Sequence, residues 1–315
     1  MTSESTAPFV ENKNENGGVI IEEATVTNES TNQEATIVDG AAVVNEGVEI
    51  EGNVVSGETT SQLDYVLANG GEVTLLADVD TANTLTVTTT NPVVINGNGK
   101  TLTSTATRAI NVSGAENVTI KNLNIVASGE RAINVIQNSK NVTIENVTAT
   151  AANYTVNVAG SAPNANVVIN NSDLTGLNTV NIGAENTNVV ITNTKLTSDD
   201  KNETESYDAI SINQNGTNSH VTVNGGEIVL NGDSVAAAVS CDGSVVTFNG
   251  TTGATNDDVV YNNFAVVYGD NAYTFTSFDD ALATAIKDNK EVTVIRSFST
   301  SEAMIVKSGK TVVLN

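Results

Sequence analysis

The chain is poor in aromatic residues, cysteine, histidine and proline. Its 315 residues include six tyrosines, six phenylalanines, one cysteine, one histidine, three prolines and no tryptophan. The single cysteine, Cys241, excludes an intrachain disulfide, so stability cannot depend on an oxidising compartment, and we interpret it as a small core residue. Three prolines and 24 glycines exclude a proline-rich linker and a collagen-like chain. The apolar residues are mainly valine and isoleucine, which predict a narrow core of β-branched side chains.

Basic residues are also scarce, and this shortage excludes two classes of partner. Thirteen lysines and arginines stand against 37 acidic residues, which gives a formal net charge of −24. Nucleic-acid binding needs a basic surface, so we expect neither nucleic acid nor an anionic membrane as a partner. No basic segment precedes a short apolar run, and no apolar run is long enough to span a bilayer. The sequence therefore predicts neither a signal peptide nor a transmembrane helix.

One short phrase recurs through the middle of the chain. Its first full copies read Asn-Val-Thr-Ile-Lys-Asn and Asn-Val-Thr-Ile-Glu-Asn. Copies begin at positions 117, 141, 166, 188, 220 and 245, in steps of 24, 25, 22, 32 and 25 residues, and an earlier member begins at position 92. Repeats of this length indicate a solenoid.

Each repeat carries a second alternating phrase, such as Arg-Ala-Ile-Asn-Val at 108–112 and at 131–135, with a weaker apolar run between the two. Alternation indicates strands, with Ile133 and Val135 on one face and Ala132 and Asn134 on the other. Two or three short strands in each turn of about 24 residues predict an all-β fold. We expect a right-handed parallel β-helix of about seven turns, whose stacked turns bury a shared core.

Asparagine returns at two fixed positions of the first phrase. The sequence predicts that these residues occupy corners in the left-handed α conformation and that their amides form hydrogen-bonded ladders from turn to turn. A ligand-binding row is the alternative, as is glycosylation, since Asn-Val-Thr is a formal acceptor sequence that needs a secretory pathway. The two rows are Asn117, Asn141, Asn166 and Asn188, and Asn122, Asn146, Asn171 and Asn193.

Composition divides the chain into four segments. Residues 1–59 are expected to form an acidic, extended and partly flexible attachment arm, to which 18–21 and 36–55 could add short strands, with a disordered tail as the alternative. Residues 60–96 are predicted to form a helix, capped by Thr59 or Thr60, and the first strands. The helix should cover the open end of the β-helix, which occupies 97–274.

Residues 275–315 are predicted to begin a second capped β-helix. Residues 291–295 match 72–76 at an offset of 219, and the same offset aligns 312–315 with 93–96; an amphipathic helix is expected at 278–286. Eight of the twelve aromatic residues fall between 248 and 298. We interpret them as a plug between the two solenoids, with a glycan-stacking patch or a subunit contact as the alternative; they include Tyr261, Phe264, Tyr268 and Tyr273.

The longest repeat, 188–219, contains an acidic insertion. On a solenoid, insertions emerge as loops from one face, often the functional one. The spacing of a dedicated calcium loop is missing, so we interpret the insertion as a solvated surface-contact loop, with Ca²⁺ binding as the alternative. Its acidic residues are Asp199, Asp200, Glu203 and Glu205.

The repeating phrases and the preceding helix resemble the pectate-lyase-like right-handed parallel β-helix over roughly residues 60–275. The resemblance implies the fold, and enzymes with this fold include polysaccharide lyases and glycoside hydrolases. The Asn-Thr-Asp, double-Asp, Gly-His-Gly and Arg-Ile-Lys motifs of the hydrolases do not occur in that order. Lyases need an Arg or Lys base beside Ca²⁺, for which Arg108 and Arg131 are a candidate pair that we interpret as an exposed row near Glu130. We expect no catalytic residue, metal or cofactor, although a carboxylate pair across turns stays open.

These features favour a structural protein. The first hypothesis is a phage head fibre, capsid decoration or spike, because the chain starts at Met1 without an export signal and phage particles leave by lysis. It would be a homotrimer, located in the virion, anchored to a capsid or other virion protein by its acidic arm and projecting its β-helix toward a host glycan. The alternatives are a bacterial adhesin at the cell surface and a tailspike-type enzyme that cleaves polysaccharide. The first hypothesis rests on fold analogy.

Overall fold

The computed structural model describes residues 8, 10–11, 19–22, 25–30, 35–199, 207–241 and 243–261, and beyond them the backbone of a few short segments between residues 264 and 314. Three parallel sheets wind from Gly71 to Tyr261, and successive strands along the chain enter the three sheets in turn. The chain is therefore a parallel β-solenoid, as the repeats predicted.

The three sheets correspond to the three apolar runs of each repeat. The first sheet contains the Asn-Val-Thr-Ile phrase, in Gly71–Thr74, Val93–Asn96, Glu116–Lys121, Lys140–Glu145, Asn166–Asn170, Asn188–Thr192, His220–Asn224 and Val245–Asn249. The second sheet contains the weaker run, in Val79–Thr81, Thr101–Ser104, Asn124–Ala127, Thr148–Thr150, Asp173–Gly176, Lys195–Asp199 and Glu227–Asn231. The third sheet contains the Ala-Ile-Asn-Val phrase, in Leu85–Val87, Arg108–Ser113, Arg131–Ile136, Tyr154–Val158, Asn178–Ile182, Asp208–Ile212, Val235–Val239 and Val259–Tyr261.

The core is a stack of like residues on like residues. In the first sheet Val118 lies opposite Val142, and Ile120 opposite Ile144, which in turn lies opposite Ile169. All five side chains are buried. Each fully buried valine or isoleucine contributes roughly 1.5–3 kcal/mol to folding, so the repeated register makes every coil stabilise its neighbours.

The third sheet departs from the predicted alternation. Ala132, Ile133, Asn134 and Val135 are all buried, with exposed fractions of 0, 0, 1 and 0%. Arg131 and Ile133 each have a paired residue on the next coil, but Ala132 between them has none. The two-residue alternation of the strand is therefore broken where the chain enters this sheet. A pattern of alternating residues cannot reveal such a break, because it assumes a regular strand.

The solenoid has about ten turns, not seven. The additional coils come from the described part of the segment predicted as an extended arm, which forms short parallel strands and an isolated bridge between Val38 and Val55. These strands have only two or three residues each and lie in an acidic, irregular sequence that shows no repeat, although short strands were predicted at 18–21 and 36–55. They are Val10–Glu11, Val19–Ile21, Thr25–Thr27, Val38–Asp39, Ala42–Val44, Glu49–Glu51 and Thr59–Ser61.

The predicted helix spans Gln62–Asn69, but it does not lie at an end of the described coils. It contacts strand Ala42–Val44 on one side and strand Val93–Asn96 on the other. Its buried leucines and valine belong to the main core, whereas the preceding coils hold a separate small cluster that includes Val38. Its N-cap is Ser61, not Thr59 or Thr60, because Ser61 directly precedes the helix and its side chain accepts a hydrogen bond from the backbone N–H of Asp64.

Beyond Tyr261 the described backbone contains strands Phe264–Tyr268, Asn271–Phe275, Glu291–Val294 and Val313–Leu314. Glu291 lies opposite Val313 and Val292 opposite Leu314, in parallel. Subtracting the offset of 219 gives Glu72 opposite Val94 and Val73 opposite Ile95, which is the pairing seen in the first sheet. The second copy therefore repeats the pairing of the first. The helix predicted at 278–286 lies outside the described residues.

Replacing Ile133 with Asp should destabilise the solenoid by about 3–5 kcal/mol, because an uncompensated charge would enter the core. Val156→Asp should behave alike, since Val156 lies opposite Ile133 and is equally buried. The matched control is Val126→Asp, at a position 47% exposed on the second sheet, which should change stability by less than about 1 kcal/mol. Urea unfolding measures all three variants, and equal losses for Ile133→Asp and Val126→Asp would contradict this core assignment.

Candidate functional site

One of the predicted asparagine rows lies at the corner where the chain leaves the first sheet. Asn122, Asn146, Asn171 and Asn193 have φ angles of 52, 53, 48 and 48°, in the left-handed region that asparagine tolerates well. Later coils place glycine there, with Gly225 at φ 65° and Gly250 at φ 63°. The amide Nδ2 of Asn122 donates to Oδ1 of Asn96 at 3.1 Å, and that of Asn146 to Oδ1 of Asn122 at 2.7 Å.

The other predicted row lies at the corner before the first sheet and changes part-way along. Asn117 and Asn141 are left-handed, with φ of 58 and 54°, but Asn166 and Asn188 are not. In those coils the left-handed residue comes two positions earlier, at Asn164, Asn186 and later Asn218. Side-chain hydrogen bonds still join the row: Nδ2 of Asn141 donates to Oδ1 of Asn117 at 3.2 Å, and Nδ2 of Asn166 donates to Oδ1 of Asn141 at 3.4 Å.

A third row, which the sequence analysis did not identify, lies in the third sheet and is buried. Asn134 donates to Oδ1 of Asn111 at 2.8 Å, Asn157 to Asn134 at 2.7 Å, and Asn181 to Asn157 at 2.6 Å. Asn134, Asn157 and Asn181 are 1, 2 and 8% exposed. The signal was present in the sequence, because asparagine recurs at one position of the Ala-Ile-Asn-Val phrase.

An open groove lies at the corner between the first and second sheets. Its lining consists of amides and a hydroxyl, apart from one glycine, and contains no titratable side chain. Asn98, Asn146 and Thr148 are exposed, whereas Asn124 is partly buried and donates to the carbonyl oxygen of Gly99 at 3.1 Å. The lining residues are Asn96, Asn98, Gly99, Asn122, Asn124, Asn146 and Thr148.

Charged residues on neighbouring coils mostly pair with the opposite sign. Glu116 lies opposite Lys140, and Lys121 opposite Glu145, while on the second sheet Lys195 lies between Asp173 and Glu227. Cross-strand pairs of opposite charge contribute a few tenths of a kcal/mol to about 1 kcal/mol each. In the paired positions of the three main sheets, within the described chain, no carboxylate lies opposite another.

One row of the third sheet is an exception to this pattern. Arg108 lies opposite Arg131, which lies opposite Tyr154, and Asn178 and Asp208 continue the row. The guanidinium carbon of Arg131 is 5.4 Å from the centre of the Tyr154 ring, and its Nη2 is 3.8 Å from Oε2 of Glu130. Burial, followed by the charge of Arg108, lowers the pKa of Arg131 below its usual value.

Asp208 is mostly buried at the start of its strand. Burial raises the pKa of its carboxyl group to about 6, and a hydrogen bond with the side chain of Ser211 opposes this shift. Its backbone N–H donates to Oδ1 of Asn178 at 2.9 Å. The carboxyl group therefore titrates about two pH units above an ordinary aspartate.

The predicted contact loop and aromatic plug are described only in part. Asp199 ends the strand Lys195–Asp199 and accepts a hydrogen bond from Asn231 at 3.1 Å, whereas Asp200, Glu203 and Glu205 lie outside the described residues. Tyr261 is 7% exposed in the main core, and burial raises its pKa to about 12. Phe264, Tyr268 and Tyr273 lie on an antiparallel hairpin whose side chains are outside the described part. Cys241 is buried, as predicted.

Comparisons with known proteins leave the site unassigned. No protein-family model, curated protein or solved structure matches the chain. Over the residues that the structure describes, no helix has the length and apolar character needed to cross a bilayer. Over the same residues, no group of three or more His, Cys, Asp and Glu side chains is arranged to hold a metal ion.

Replacing Asn157 with Ala should destabilise the chain by about 2–3 kcal/mol, because the amide of Asn181 and the carbonyl of Asn134 both lose their buried partner. Asn170→Ala is the matched control: Asn170 is partly exposed on the first sheet and its side chain makes no hydrogen bond in the described structure. Urea unfolding of both variants provides the measurement. A loss no larger for Asn157→Ala than for Asn170→Ala would show that the buried row does not hold the coils together.

Asp208→Asn should be more stable than the natural chain at pH 7, and the difference should be roughly halved at pH 5 and largely lost near pH 4. The folded-state pKa of Asp208 lies above its unfolded value, so the folded protein carries a buried charge above pH 6 and gains stability as the pH falls from about 6 toward 4. Thermal melting of both proteins at pH 7, 5 and 4 tests this. The comparison removes the general effect of net charge, and a constant difference between the two proteins would count against the assignment.

Proposed function

We propose that the chain is a structural and adhesive protein: a rigid solenoid that displays a glycan-binding groove and forms a fibre, spike or decoration on a virion. The groove between the first and second sheets carries the proposal. Its lining offers amide and hydroxyl groups, which donate and accept hydrogen bonds to sugar hydroxyls. Titratable side chains are absent from that lining, so the groove contains no general acid or base for cleavage.

The stacked coils support a mechanical role. Every strand of the three main sheets, except the first and last of each, pairs with the coils before and after it, and three asparagine rows add side-chain hydrogen bonds between coils. Such a stack supports an elongated binding surface without a large apolar core. The acidic composition limits non-specific association, because net charge far from zero makes unspecific contacts between copies unfavourable.

The finer elements of the proposal are a virion location, a homotrimeric state and attachment through residues 1–59. Fold analogy supports them, together with the strongly acidic composition of that segment, which holds twelve acidic residues and one lysine in residues 1–60. A bacterial adhesin would use the same groove and differ in where the protein is found. Location and assembly therefore decide between the two, and the groove does not.

The groove is tested with a panel of immobilised neutral oligosaccharides. We expect the full chain to bind at least one and to release it uncleaved, because the groove lacks an acid–base pair. Asn124→Ala combined with Thr148→Val should weaken binding about tenfold, since each removes a hydrogen-bonding group. Thr197→Val, two coils along the second sheet and outside the groove, should bind normally.

Three outcomes would contradict the assignment of the groove. The first is the absence of binding to any neutral glycan, and the second is equal binding by the groove variant and the natural chain. The third is release of shortened sugars, which would favour the polysaccharide-cleaving enzyme. Circular dichroism melting of each variant separates a lost contact from a lost fold.

The location is tested by quantitative mass spectrometry of gradient-purified virus particles and of cell-wall fractions from the same culture. We expect a fixed number of copies on each particle and, for the purified chain, a trimer mass in sedimentation analysis. Recovery only from the cell-wall fraction would favour the adhesin. A monomer mass at micromolar concentration would contradict the trimer.

A further inference from the structure

Arg108 and Arg131 form the one like-charged pair among the paired positions of the three main sheets, within the described residues. Parallel strands place such residues about 4.8 Å apart at the backbone. Like charges directly opposite each other destabilise a sheet, and the other neighbouring charges on these sheets are opposed in sign. The chain has only three arginines, so two of the three occupy this one pair.

The pair has more hydrogen-bonding capacity than its neighbours satisfy. Nε of Arg131 is buried without a hydrogen-bond partner, and the nearest carboxylate oxygen, on Glu130, is 3.8 Å from Nη2, beyond hydrogen-bond distance. No described carboxylate lies within ion-pair distance of Arg108. A guanidinium group presents five donors in a planar fork that matches an oxyanion, so the pair offers donors that the protein itself leaves unused.

The rest of the row limits what the pair can bind. Tyr154 and Asn178 follow Arg131 on the next coils and offer an aromatic ring and an amide, the groups that contact sugar rings and hydroxyls. Asp208 adds an acidic group on the coil after Asn178, and Val235 follows it. A nucleic acid, with a phosphate at every nucleotide, would place charge against Asp208 and an acidic surface, whereas a single oxyanion on a sugar would not.

We propose that Arg108 and Arg131 form a binding site for the oxyanion of an acidic sugar unit in a surface polysaccharide, with Tyr154 against the sugar ring. The oxyanion is a carboxylate, as in a uronic acid, or a sulfate or phosphate ester. This site lies where the second sheet passes into the third, at a different corner from the amide groove. Its failure and the failure of the groove can therefore be distinguished.

The experiment uses the full chain labelled with ¹⁵N-arginine, which gives one Nε signal for each of the three arginines. Glucuronate, glucose 6-sulfate, inorganic sulfate and glucose are titrated separately at low salt, and Arg→Lys variants assign the signals. We expect glucuronate or glucose 6-sulfate to shift the Nε signals of Arg108 and Arg131 saturably, whereas glucose shifts neither. The better of the two charged sugars identifies the class of oxyanion.

The variants separate the roles of the residues. Arg108→Gln and Arg131→Gln should each weaken binding of the charged sugar about tenfold, because each removes a charged hydrogen-bond donor. Tyr154→Ala should weaken the charged sugar and leave inorganic sulfate unchanged. Lys121→Gln, which removes a cation paired with Glu72 on the first sheet, should change nothing and serves as the matched control. Circular dichroism melting verifies that each variant is folded.

Several outcomes would overturn the proposal. Saturable shifts with neither charged sugar would exclude an oxyanion site, and equal shifts with glucose would exclude recognition of charge. Inorganic sulfate bound as tightly as both charged sugars would reduce the site to a bare anion contact. A short single-stranded oligonucleotide that binds more tightly than the sugars would replace the polysaccharide with nucleic acid.

Discussion

The structure depends on the in-register stacking of equivalent residues on successive coils. Valine lies on valine, isoleucine on isoleucine and asparagine on asparagine, at the spacing of parallel strands. One coil alone has too little apolar surface to exclude water, and two neighbours complete its core. The same register determines which neighbours each polar side chain has, because each one lies beside the equivalent residues of the coils before and after it.

Stacking has different consequences for amides and for charges. An asparagine carries both a donor and an acceptor, so a row of asparagines satisfies itself, and this allows Asn134 and Asn157 to be buried. Charged residues cannot do this, and on the main sheets they alternate in sign instead. Arg108 and Arg131 break that rule, and we therefore infer that an anion from outside the protein binds between them. The amide-lined groove and the arginine pair both result from in-register stacking, at different corners of the coil.

The repeats were sufficient to predict the fold class and two or three strands in each coil, and the residues that follow Thr60 predicted the helix. Their spacing is set by stacking, which leaves a direct trace in the sequence. The number of coils was underestimated because the early strands, such as Val38–Asp39, are too short and irregular to show a repeat. The burial of Asn134 was missed because alternation assigns every second residue to solvent. The position of the helix between two clusters depends on contacts of residues near Ala42, which no local pattern encodes.

Site geometry was less accessible from the sequence than the fold. The register of Arg108 and Arg131 followed from the repeat, but the unpaired Nε of Arg131 and the nearby ring of Tyr154 depend on side-chain conformation. The groove combines residues from three coils, such as Asn98, Asn122 and Asn146, that are interpretable as a lining only once the corner is built. Asp208 has no unusual neighbour in the sequence, and its raised pKa comes from burial.

The register itself is tested most directly by engineered cysteine pairs in a Cys241→Ser background. Thr119 and Thr143 lie opposite each other on the first sheet, within the reach of a disulfide, whereas Val168 lies one coil further along. Mild oxidation followed by peptide mass spectrometry should find an intramolecular disulfide for the pair Thr119→Cys and Thr143→Cys, and none for Thr119→Cys and Val168→Cys. A disulfide in the second pair but not in the first would contradict the stacked solenoid.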